Sequence, residues 1–446
     1  MATQIPASPV SVGRIAFASF IGTVIEFFDF FLFGTASALI FNKIFFPSLD
    51  PLAGTLASFA TFAVAFGARP LGGVVFGHFG DRLGRKTMLV LSLVLMGVGT
   101  AMVGVLPTYE QIGIWAPVLL VFSRLLQGIA IGGEWSGAVL MAVEHAPPGR
   151  RAFFGSWPQC GVPAGLVLAT ASFFAVQLLP QEAMMAWGWR IPFIVSVVLV
   201  LLGLYIRLKI AESPAFAAVK DKGEQSKFPV AEVVRKSWRG IVIAIFSMAA
   251  ANIPFYMATV FALSYGSQNA GVTRGTVLLA VCIASLVQVF TIPVAAVLAD
   301  RYGRKPVLLA GCALTALAGF PFFWLIDTGS TVAIIGAMMI ALPICHSLTY
   351  APLASFVPEL FETRLRYTGS AIGYQVGGMI MSGPVPFISA ALFSWAGSAW
   401  VLSLYIVVGG VLTFVAVLTA RETYRDDIAD GSRAAGSVQR QSAATS

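Results

Sequence analysis

Five ionisable side chains lie inside long apolar stretches of the sequence: Glu26, Asp29, Arg69, Arg124 and Glu134. A charge at the centre of a membrane-spanning helix costs roughly 2.5–3.5 kcal/mol on insertion scales, so such groups usually mark a pathway or a partner. Glu26 and Asp29 are three residues apart, which puts both carboxylates on one face of a helix. Two carboxylates close together in a medium of low dielectric repel each other, so at least one of them can bind a proton reversibly.

The two arginines supply the complementary chemistry, because a guanidinium keeps its charge and its fork of N–H donors suits a carboxylate. Counting along the apolar stretches puts Arg124 at the depth of Glu26 and Asp29, and Arg69 with Glu134 in the cytoplasmic third of the membrane. We therefore predict that Glu26, Asp29 and Glu134 couple protons and that Arg124 binds substrate. Arg69 and Glu134 form a predicted buried charge pair. The plainer alternative is that these charges only pair with one another and hold the helices in register, and both interpretations can be true together.

The composition indicates that these groups are carried by helices in a lipid bilayer. Hydrophobic residues make up 58% of the 446 residues, charged residues only 11%, and the mean hydropathy is +0.85. So few charged residues cannot form the surface of a water-soluble protein. A helix needs ~20 apolar residues to cross ~30 Å of hydrocarbon. Twelve stretches meet that length, and we number them spans 1 to 12: 15–40, 54–77, 87–106, 112–142, 153–178, 190–208, 239–266, 275–299, 307–326, 331–356, 367–393 and 396–420.

Lysines and arginines predict the orientation of these spans, because cationic loops stay in the cytoplasm during insertion. Eight of them lie in the segment 207–239, and others lie in loops 2–3, 4–5, 8–9 and 10–11 and in the tail. The loops on the opposite side hold only Lys43, Arg190 and Arg274. We expect both termini in the cytoplasm. Membrane topology thus accounts for the net charge of +8, and no basic domain remains to suggest nucleic-acid binding.

An internal repeat divides the chain into two related halves. The run Asp81-Arg82-Leu83-Gly84-Arg85-Lys86 recurs 219 residues later as Asp300-Arg301-Tyr302-Gly303-Arg304-Lys305. Repeats of this kind build many secondary transporters as two bundles with a binding site between them. The predicted fold is an all-α membrane protein with twelve transmembrane helices in two six-helix bundles. Its predicted parts are residues 1–208, a cytoplasmic linker 209–238, residues 239–420 and a short polar tail 421–446.

Neutral polar residues within the spans are further candidates for contact with a substrate. A lone polar side chain in a bundle more often makes a hydrogen bond between helices, and that alternative applies to each of them. The mid-membrane acids and permanent cations fall in the first half, so the second half is expected to supply shape and neutral hydrogen bonds. The predicted substrate-binding set, beside Arg124, is Gln127, Gln159, Asn252, Tyr256, Tyr350, Tyr374 and Gln375.

Several other kinds of chemistry lack the residues they need. The four cysteines have no paired spacing, the three histidines are scattered, and no Gly-x-x-x-x-Gly-Lys-Ser/Thr phosphate loop occurs. We therefore expect no metal, no cofactor and no enzymatic activity, and any uphill transport must draw on an ion gradient. A channel would need an open polar pore, and a sensor or scaffold would need a soluble output domain; the sequence suggests neither.

The motifs together resemble the major facilitator superfamily, and within it the metabolite:proton symporter family, over roughly residues 14–424. The resemblance implies alternating access around a midplane site in a bacterial inner membrane, and carriage of solutes such as shikimate, α-ketoglutarate, citrate, proline or betaine. It rests on Gly77 to Lys86 and its second copy, Ile25 to Phe30, Ala68 to Gly72, Arg124 to Trp135, Pro358 to Phe361 and Arg366 to Gly369. The tail 421–446 has no heptads, which argues against the osmosensing branch with its coiled-coil extension.

The repeated loops predict a conformational lock at the cytoplasmic surface, since Asp81 and Asp300 sit where a helix N-terminus or an arginine can hold them. The predicted function is proton-coupled uptake of a small organic acid by a carrier that works as a monomer. An exchanger or facilitator of the same solutes, and a proline or betaine symporter, remain alternatives. The predicted lock residues are Asp81, Arg82, Arg85, Lys86, Glu144, Arg150, Asp300 and Arg304.

Overall fold

The computed structural model describes residues 12–83, 85–132, 139, 142–143, 146–147, 149–209, 229–268, 271–361 and 365–422. The side chains of residues 77–89 lie outside this description. Every regular element in the described ranges is a helix, which confirms the all-α prediction.

The helices of the first half follow the predicted spans to within a few residues, except that span 2 continues as one helix well beyond its predicted end and that the continuous described helix of span 4 extends only to Gly132. They are Val12–Leu39, Pro51–Leu83, Arg85–Val105, Trp115–Gly132, Arg151–Val176 and Ile191–Lys209. The short helices Phe41–Ile44, Tyr109–Ile112 and Gln181–Ala186 and the 3₁₀ turn Gly188–Arg190 lie between them. The apolar runs thus predicted both the existence and the order of these helices.

Three spans of the second half are broken into consecutive helical segments. Span 7 comprises Pro229–Ser247, Ala249–Tyr256, the π-helical turn Met257–Phe261 and Ala262–Gln268. Span 10 comprises Thr331–Met339, the π-helical turn Ile340–His346, Ser347–Tyr350 and Leu353–Glu359. Span 11 comprises Arg366–Met381 and Val385–Ala396, while spans 8, 9 and 12 are the continuous helices Arg274–Tyr302, Arg304–Asp327 and Trp400–Thr419.

Eleven helical stretches in the described chain are long and apolar enough to cross a membrane. The helix at predicted span 3 is the exception, because its described apolar part is the shorter stretch Val90–Val105. The membrane-protein assignment is therefore confirmed. The count of twelve spans and the cytoplasmic location of the termini stay predictions.

Glycines bring the backbones of spans 2 and 4 into direct contact and so fix the position of the Arg69 backbone. A Cβ atom on Gly128 would overlap the carbonyl oxygen of Ala65, and one on Gly132 would overlap the carbonyl oxygen of Arg69. Small residues allow this approach between membrane helices. Gly128 and Gly132 of span 4 thus serve close packing against span 2.

The two halves meet mainly along two helix pairs, with smaller contacts of span 1 with span 7 and of span 5 with span 10. Span 5 packs against span 1 of its own half and against span 8 of the other half, and span 2 packs against span 11. The polar groups described below lie along this boundary or just behind it.

Candidate functional site

A narrow central cavity lies between the two halves. Spans 1, 2 and 5 line it on one side and spans 7, 10 and 11 on the other, and every lining residue is buried. The side chains around the cavity are therefore largely withdrawn from bulk solvent in this conformation. The lining residues are Phe27, Phe66, Arg69, Val162, Met248, Asn252, Phe255, Tyr256, His346, Tyr350, Tyr374, Gly378 and Ser382.

Arg69 is the charged residue of this lining. Its side chain is 4% exposed, and its guanidinium carbon lies 4.0 Å from the ring centre of Phe66 and 4.8 Å from that of Phe30. Within the described residues, Nε and Nη2 of Arg69 have no hydrogen-bond partner. A buried guanidinium supported by aromatic faces and with unused donors is suited to bind an anion that enters the cavity.

Four of the predicted substrate-binding residues line the cavity: Asn252, Tyr256, Tyr350 and Tyr374. The hydroxyl oxygens of Tyr350 and Tyr374 are 3.4 Å apart. These side chains come from spans 7, 10 and 11, so the structure brings neutral hydrogen-bonding groups of the second half to face Arg69 of the first half.

The predicted glutamines Gln159 and Gln375 instead connect the two halves. Nε2 of Gln159 donates to the carbonyl oxygen of Tyr350 over 3.3 Å, and Nε2 of Gln375 donates to that of Gly132 over 2.7 Å. Neither glutamine belongs to the described lining of the cavity. Their amides satisfy backbone carbonyls across the boundary, which is the helix-to-helix role that was the alternative for neutral polar groups.

His346, a polar residue of span 10 that the predicted substrate-binding set does not include, lies in the cavity wall. Its imidazole is stacked between the rings of Phe255 and Tyr350, with centroid distances of 4.3 Å and 4.6 Å. Nδ1 lies 2.6 Å from Nε2 of Gln288, a fully buried residue of span 8. The imidazole is thus held on both faces and at one nitrogen.

A second polar cluster lies within the first half and joins Asp29 to Arg124. Thr100 donates to Oδ2 of Asp29 over 3.0 Å, Gln127 donates to the Thr100 hydroxyl over 2.6 Å, and Arg124 donates to Oε1 of Gln127 over 2.5 Å. All four residues are buried. No ion pair joins Asp29 directly to Arg124 in the part of the chain that the structure describes, so two neutral side chains separate the acid from the base.

Arg124 does not belong to the described cavity lining. Its guanidinium carbon lies 3.9 Å from the ring centre of Phe33 and 5.3 Å from that of Phe30. Arg69 contacts the same ring, at 4.8 Å from its centre. Phe30 is thus a neighbour shared by the polar cluster of the first half and the guanidinium in the cavity.

The two other predicted proton-coupling residues differ in how far they can be placed. Glu26 is 3% exposed on the same helix as Asp29 and is engaged in an interaction of its own. Glu134 lies outside the described residues, and with it the predicted pair with Arg69.

At the other end of the boundary, Asp300 holds the first turn of span 5. Its carboxylate accepts hydrogen bonds from the backbone N–H groups of Ala152 and Phe153, each over 2.9 Å. A carboxylate at a helix N-terminus is favoured by the unsatisfied donors and by the helix dipole. Arg304 donates to the same carboxylate over 3.2 Å. Both kinds of partner expected for this aspartate are present, and its role as a lock stays a prediction.

Further ion pairs extend from Arg304, whose side chain is buried. It donates over 3.1 Å to Oε1 of Glu359, and the backbone N–H groups of Arg304 and Lys305 donate over 3.2 Å and 2.9 Å to Glu422. The ammonium of Lys305 donates to the carbonyl oxygens of Leu418 and Ala420 at the end of span 12. The ends of spans 8, 9 and 12 are thereby joined.

The remaining predicted lock residues add no described hydrogen bond or ion pair to this boundary. The side chains of Asp81, Arg82, Arg85 and Lys86, and the whole of Glu144, lie outside the described residues. Arg150 is exposed just before span 5, and its side chain caps no helix.

Reasoning from the sequence left several contributors out of the predicted site, among them Thr100, Gln288, His346, Glu359 and Glu422. Glu359 carried a usable signal, since it lies in the run Pro358 to Phe361 that carries the family resemblance, and His346 was visible as a polar residue within span 10. A single threonine in an apolar helix, and a glutamate at the start of a polar tail, carry none.

The chain was compared with known proteins. The profile of the Major Facilitator Superfamily matches residues 19–384. A curated relative, the inner membrane metabolite transport protein YhjE of Escherichia coli K12, is 42% identical over 93% of this chain and 95% of its own length.

Two further relatives of the same bacterium carry more specific names. The shikimate transporter is 39% identical over 92% of this chain and 95% of its own length. The proline/betaine transporter is 33% identical over 95% of this chain, but the match covers 86% of its own length.

Among solved structures, the proton:xylose symporter XylE bound to 6-bromo-6-deoxy-D-glucose superposes with a TM-score of 0.72. The superposition covers 92% of this chain and 96% of that one at 17% identity. At that identity the likeness concerns the fold.

Proposed function

This chain belongs to the major facilitator superfamily of membrane transporters, and on that premise we propose that it carries a small organic anion, together with one or more protons, across the bacterial inner membrane. The superfamily consists of transporters and not of enzymes. The inner-membrane location follows the name of the 42% identical relative.

The observation that carries the anion proposal is Arg69. It is the permanent charge in the described cavity lining, it is buried, and two of its nitrogens have no described partner. Leaving such donors unpaired in a buried site costs free energy, which a carboxylate in the cavity recovers. Arg69 therefore takes the substrate-binding role that the sequence had suggested for Arg124, and Arg124 serves the proton site.

The proton site is assigned to Asp29, supported by Glu26. Asp29 is buried, and its Oδ1 has no hydrogen-bond partner in the described chain, so a proton there meets no competing donor. Hydrogen bonds through Thr100 and Gln127, and not an ion pair, connect this carboxyl to the permanently charged guanidinium of Arg124. Such an acid can be charged or neutral at moderate cost, as a coupling group requires.

Alternating access then follows from the boundary between the halves. We propose twelve spans in two bundles, residues 1–208 and 239–420, with both termini in the cytoplasm, and one chain as the working unit. The buried cavity represents an occluded state. The Asp300 contacts with span 5 keep the cytoplasmic end shut, and their release opens it.

A second candidate is a carrier of proline or betaine, because six aromatic rings line the cavity and aromatic faces attract quaternary ammonium groups. The protein's own groups occupy some of these faces: Arg69 lies over Phe66, and His346 is stacked on Phe255 and Tyr350. We therefore favour the anion. Exchange and facilitated diffusion of the same solutes differ from symport only in how protons are coupled.

Uptake into proteoliposomes tests the proposal. Organic acids without an ammonium group, the zwitterions glycine betaine and proline, and an uncharged sugar are offered with and without an inward proton gradient, and an organic acid without an ammonium group should accumulate only with the gradient. Arg69→Lys should raise KM by about 100-fold, because a bidentate fork becomes a single ammonium. Arg124→Lys is the matched control and should affect gradient-driven accumulation more than KM. Equal KM values for wild type and Arg69→Lys, or a sugar as the best substrate, would refute the anion site.

A further inference from the structure

We infer that His346 is a neutral hydrogen-bond donor that recognises an uncharged oxygen of the substrate, and that Gln288 is the positioning residue that fixes its tautomer. The inference rests on the proposed function, since it assumes that the carboxylate of the substrate is bound at Arg69. It adds a second point of recognition, contributed by the other half of the molecule.

The tautomer follows from the contacts of Gln288. Nε2 of its amide lies 3.0 Å from the carbonyl oxygen of Leu342 and 2.6 Å from Nδ1 of His346. A carbonyl oxygen only accepts hydrogen bonds, so the atom facing it is the amide nitrogen and not the amide oxygen. The same nitrogen donates to the imidazole, hence Nδ1 is the acceptor. A neutral imidazole that accepts at Nδ1 carries its proton on Nε2.

The donor at Nε2 is available to the cavity. His346 belongs to the cavity lining, and no described residue forms a hydrogen bond with Nε2. Stacking on Phe255 and Tyr350, with interplanar angles of 27° and 24°, prevents the ring from turning out of this orientation. The N–H group therefore has a fixed direction before a substrate arrives.

The backbone of span 10 contributes to this arrangement. His346 ends the π-helical turn Ile340–His346, and the backbone N–H group of Ser347 that follows it donates to the carbonyl oxygen of Leu342, five residues earlier. Turns of this type are rare and frequently occur at functional sites. Here the wide turn presents the Leu342 carbonyl and the His346 ring to the same amide of Gln288.

The arrangement defines a class of substrate. Arg69 is the permanent cation of the described lining, so a second carboxylate would find no second arginine or lysine there. A neutral N–H donor suits a hydroxyl or oxo oxygen. The preferred substrate is accordingly a monocarboxylate that carries a hydroxyl or oxo group. An acid without that oxygen leaves the buried N–H group unpaired, and sites of this kind reject such analogues.

Binding of matched acids to the purified protein tests the inference. The probes are propionate, lactate and pyruvate, which share three carbons, and cyclohexanecarboxylate with its trihydroxy derivative, which share seven. Wild type should bind the oxygen-bearing member of a set about tenfold more tightly than the plain acid, the worth of one hydrogen bond. His346→Phe keeps a ring in the stack but no donor, and should lose this preference while the affinity for the plain acid is unchanged.

Two further variants separate recognition from folding. His346→Gln carries an amide nitrogen near the position of Nε2 and should restore part of the preference. Gln288→Leu removes the hydrogen bond to Nδ1, so the imidazole can adopt either tautomer and the preference should fall about threefold. Ser285→Ala, a buried change on the same helix as Gln288, is the control and should leave it intact.

The outcomes distinguish the two proposals. The inference is wrong if wild type shows no preference within a set, if His346→Phe retains the preference, or if all variants lose affinity for both members equally. Failure of the proposed function has a different signature: no carboxylate binds, or binding is insensitive to Arg69→Lys. Tight binding of glycine betaine, with no binding of the organic acids that lack an ammonium group, would overturn both.

Discussion

The two halves of this transporter carry opposite chemistry at equivalent places. In the first half, spans 1, 3 and 4 enclose Asp29, Thr100, Gln127 and Arg124, linked by hydrogen bonds. In the second half, spans 7, 9, 10 and 12 enclose a small apolar cavity. Its lining residues are Pro254, Thr315, Ala318, Phe322, Ala341, Cys345 and Ile406.

The two halves can be compared along the repeat. His346 follows Gln127 by 219 residues, which is also the separation of Asp81 and Asp300, whereas Thr315 follows Thr100 by only 215 residues. Thr315 carries a hydroxyl on span 9, the counterpart of span 3, and the described residues around it include no acid or arginine to bond with. The duplicated bundle has therefore kept its shape while only one copy carries mid-membrane charge.

This division has a physical consequence. Burying a charge costs free energy unless partners compensate for it, and a group that changes its charge in each cycle must be compensated in both states. Confining that requirement to one bundle leaves the other free to pack by shape and neutral hydrogen bonds. Substrate recognition can then be divided between Arg69 and the neutral groups of the second half.

The largest effect is expected from removing the acid. Asp29→Asn abolishes the ionisable group, so uptake should lose its coupling and the accumulation ratio under a proton gradient should fall to about one. Counterflow exchange, which needs no net proton movement, should survive. Ser58→Ala, a buried neutral change on span 2 whose hydroxyl donates to the carbonyl oxygen of Ser37, is the matched control. Undiminished accumulation by Asp29→Asn would move the proton site to Glu26 or Glu134.

The next effect concerns a charge introduced into the apolar cavity of the second half. Thr315→Asp puts a carboxylate where no described cation is available, and we expect destabilisation of roughly 3 kcal/mol. Thr315→Val changes the same position without adding charge and should be almost neutral. Thermal unfolding of the two variants in detergent measures the difference. Equal stability of both variants would show that the second half tolerates charge as the first half does.

A smaller effect is expected at the cytoplasmic boundary. Asp300→Asn weakens the charge-assisted bonds to Ala152, Phe153 and Arg304, by roughly 1.5 kcal/mol in total once solvation is counted. The closed state should lose about tenfold in population. Labelling of Ala354→Cys, in a background without the four native cysteines, reports this change, since Ala354 is buried against Gly155 of the other half. An unchanged labelling rate with normal transport would exclude a locking role for Asp300.

Much of this architecture could be predicted from the sequence. The apolar runs predicted the helices because a membrane span leaves a long and nearly uniform signal, and the repeated motif predicted a paired acid at Asp300. The buried acids and arginines were identifiable because charged side chains are costly, and therefore rare, within apolar membrane spans.

The arrangement around the cavity could not be predicted in the same way. Whether Arg69 or Arg124 faces the cavity depends on the rotation of each helix about its axis, which residue counting does not give. The π-helical turns depend on tertiary packing, so the position of His346 had no local signal. Glu422 was assigned only to a polar tail, because its partners Arg304 and Lys305 lie more than a hundred residues earlier.

The smallest effect concerns the link within the charged cluster. Thr100→Val keeps nearly the same volume but removes the hydroxyl that donates to Asp29 and accepts from Gln127. The loss of a net hydrogen bond, about 0.5–1.5 kcal/mol, predicts a roughly threefold to tenfold fall in gradient-driven uptake, with counterflow exchange unchanged. Thr315→Val is the matched change in the second half and should leave uptake as it is, because no charged partner depends on that hydroxyl in the described structure. If the two valine variants behave alike, transport does not require the Thr100 hydroxyl to connect Asp29 to Arg124. The two halves would then differ in composition but not in this function.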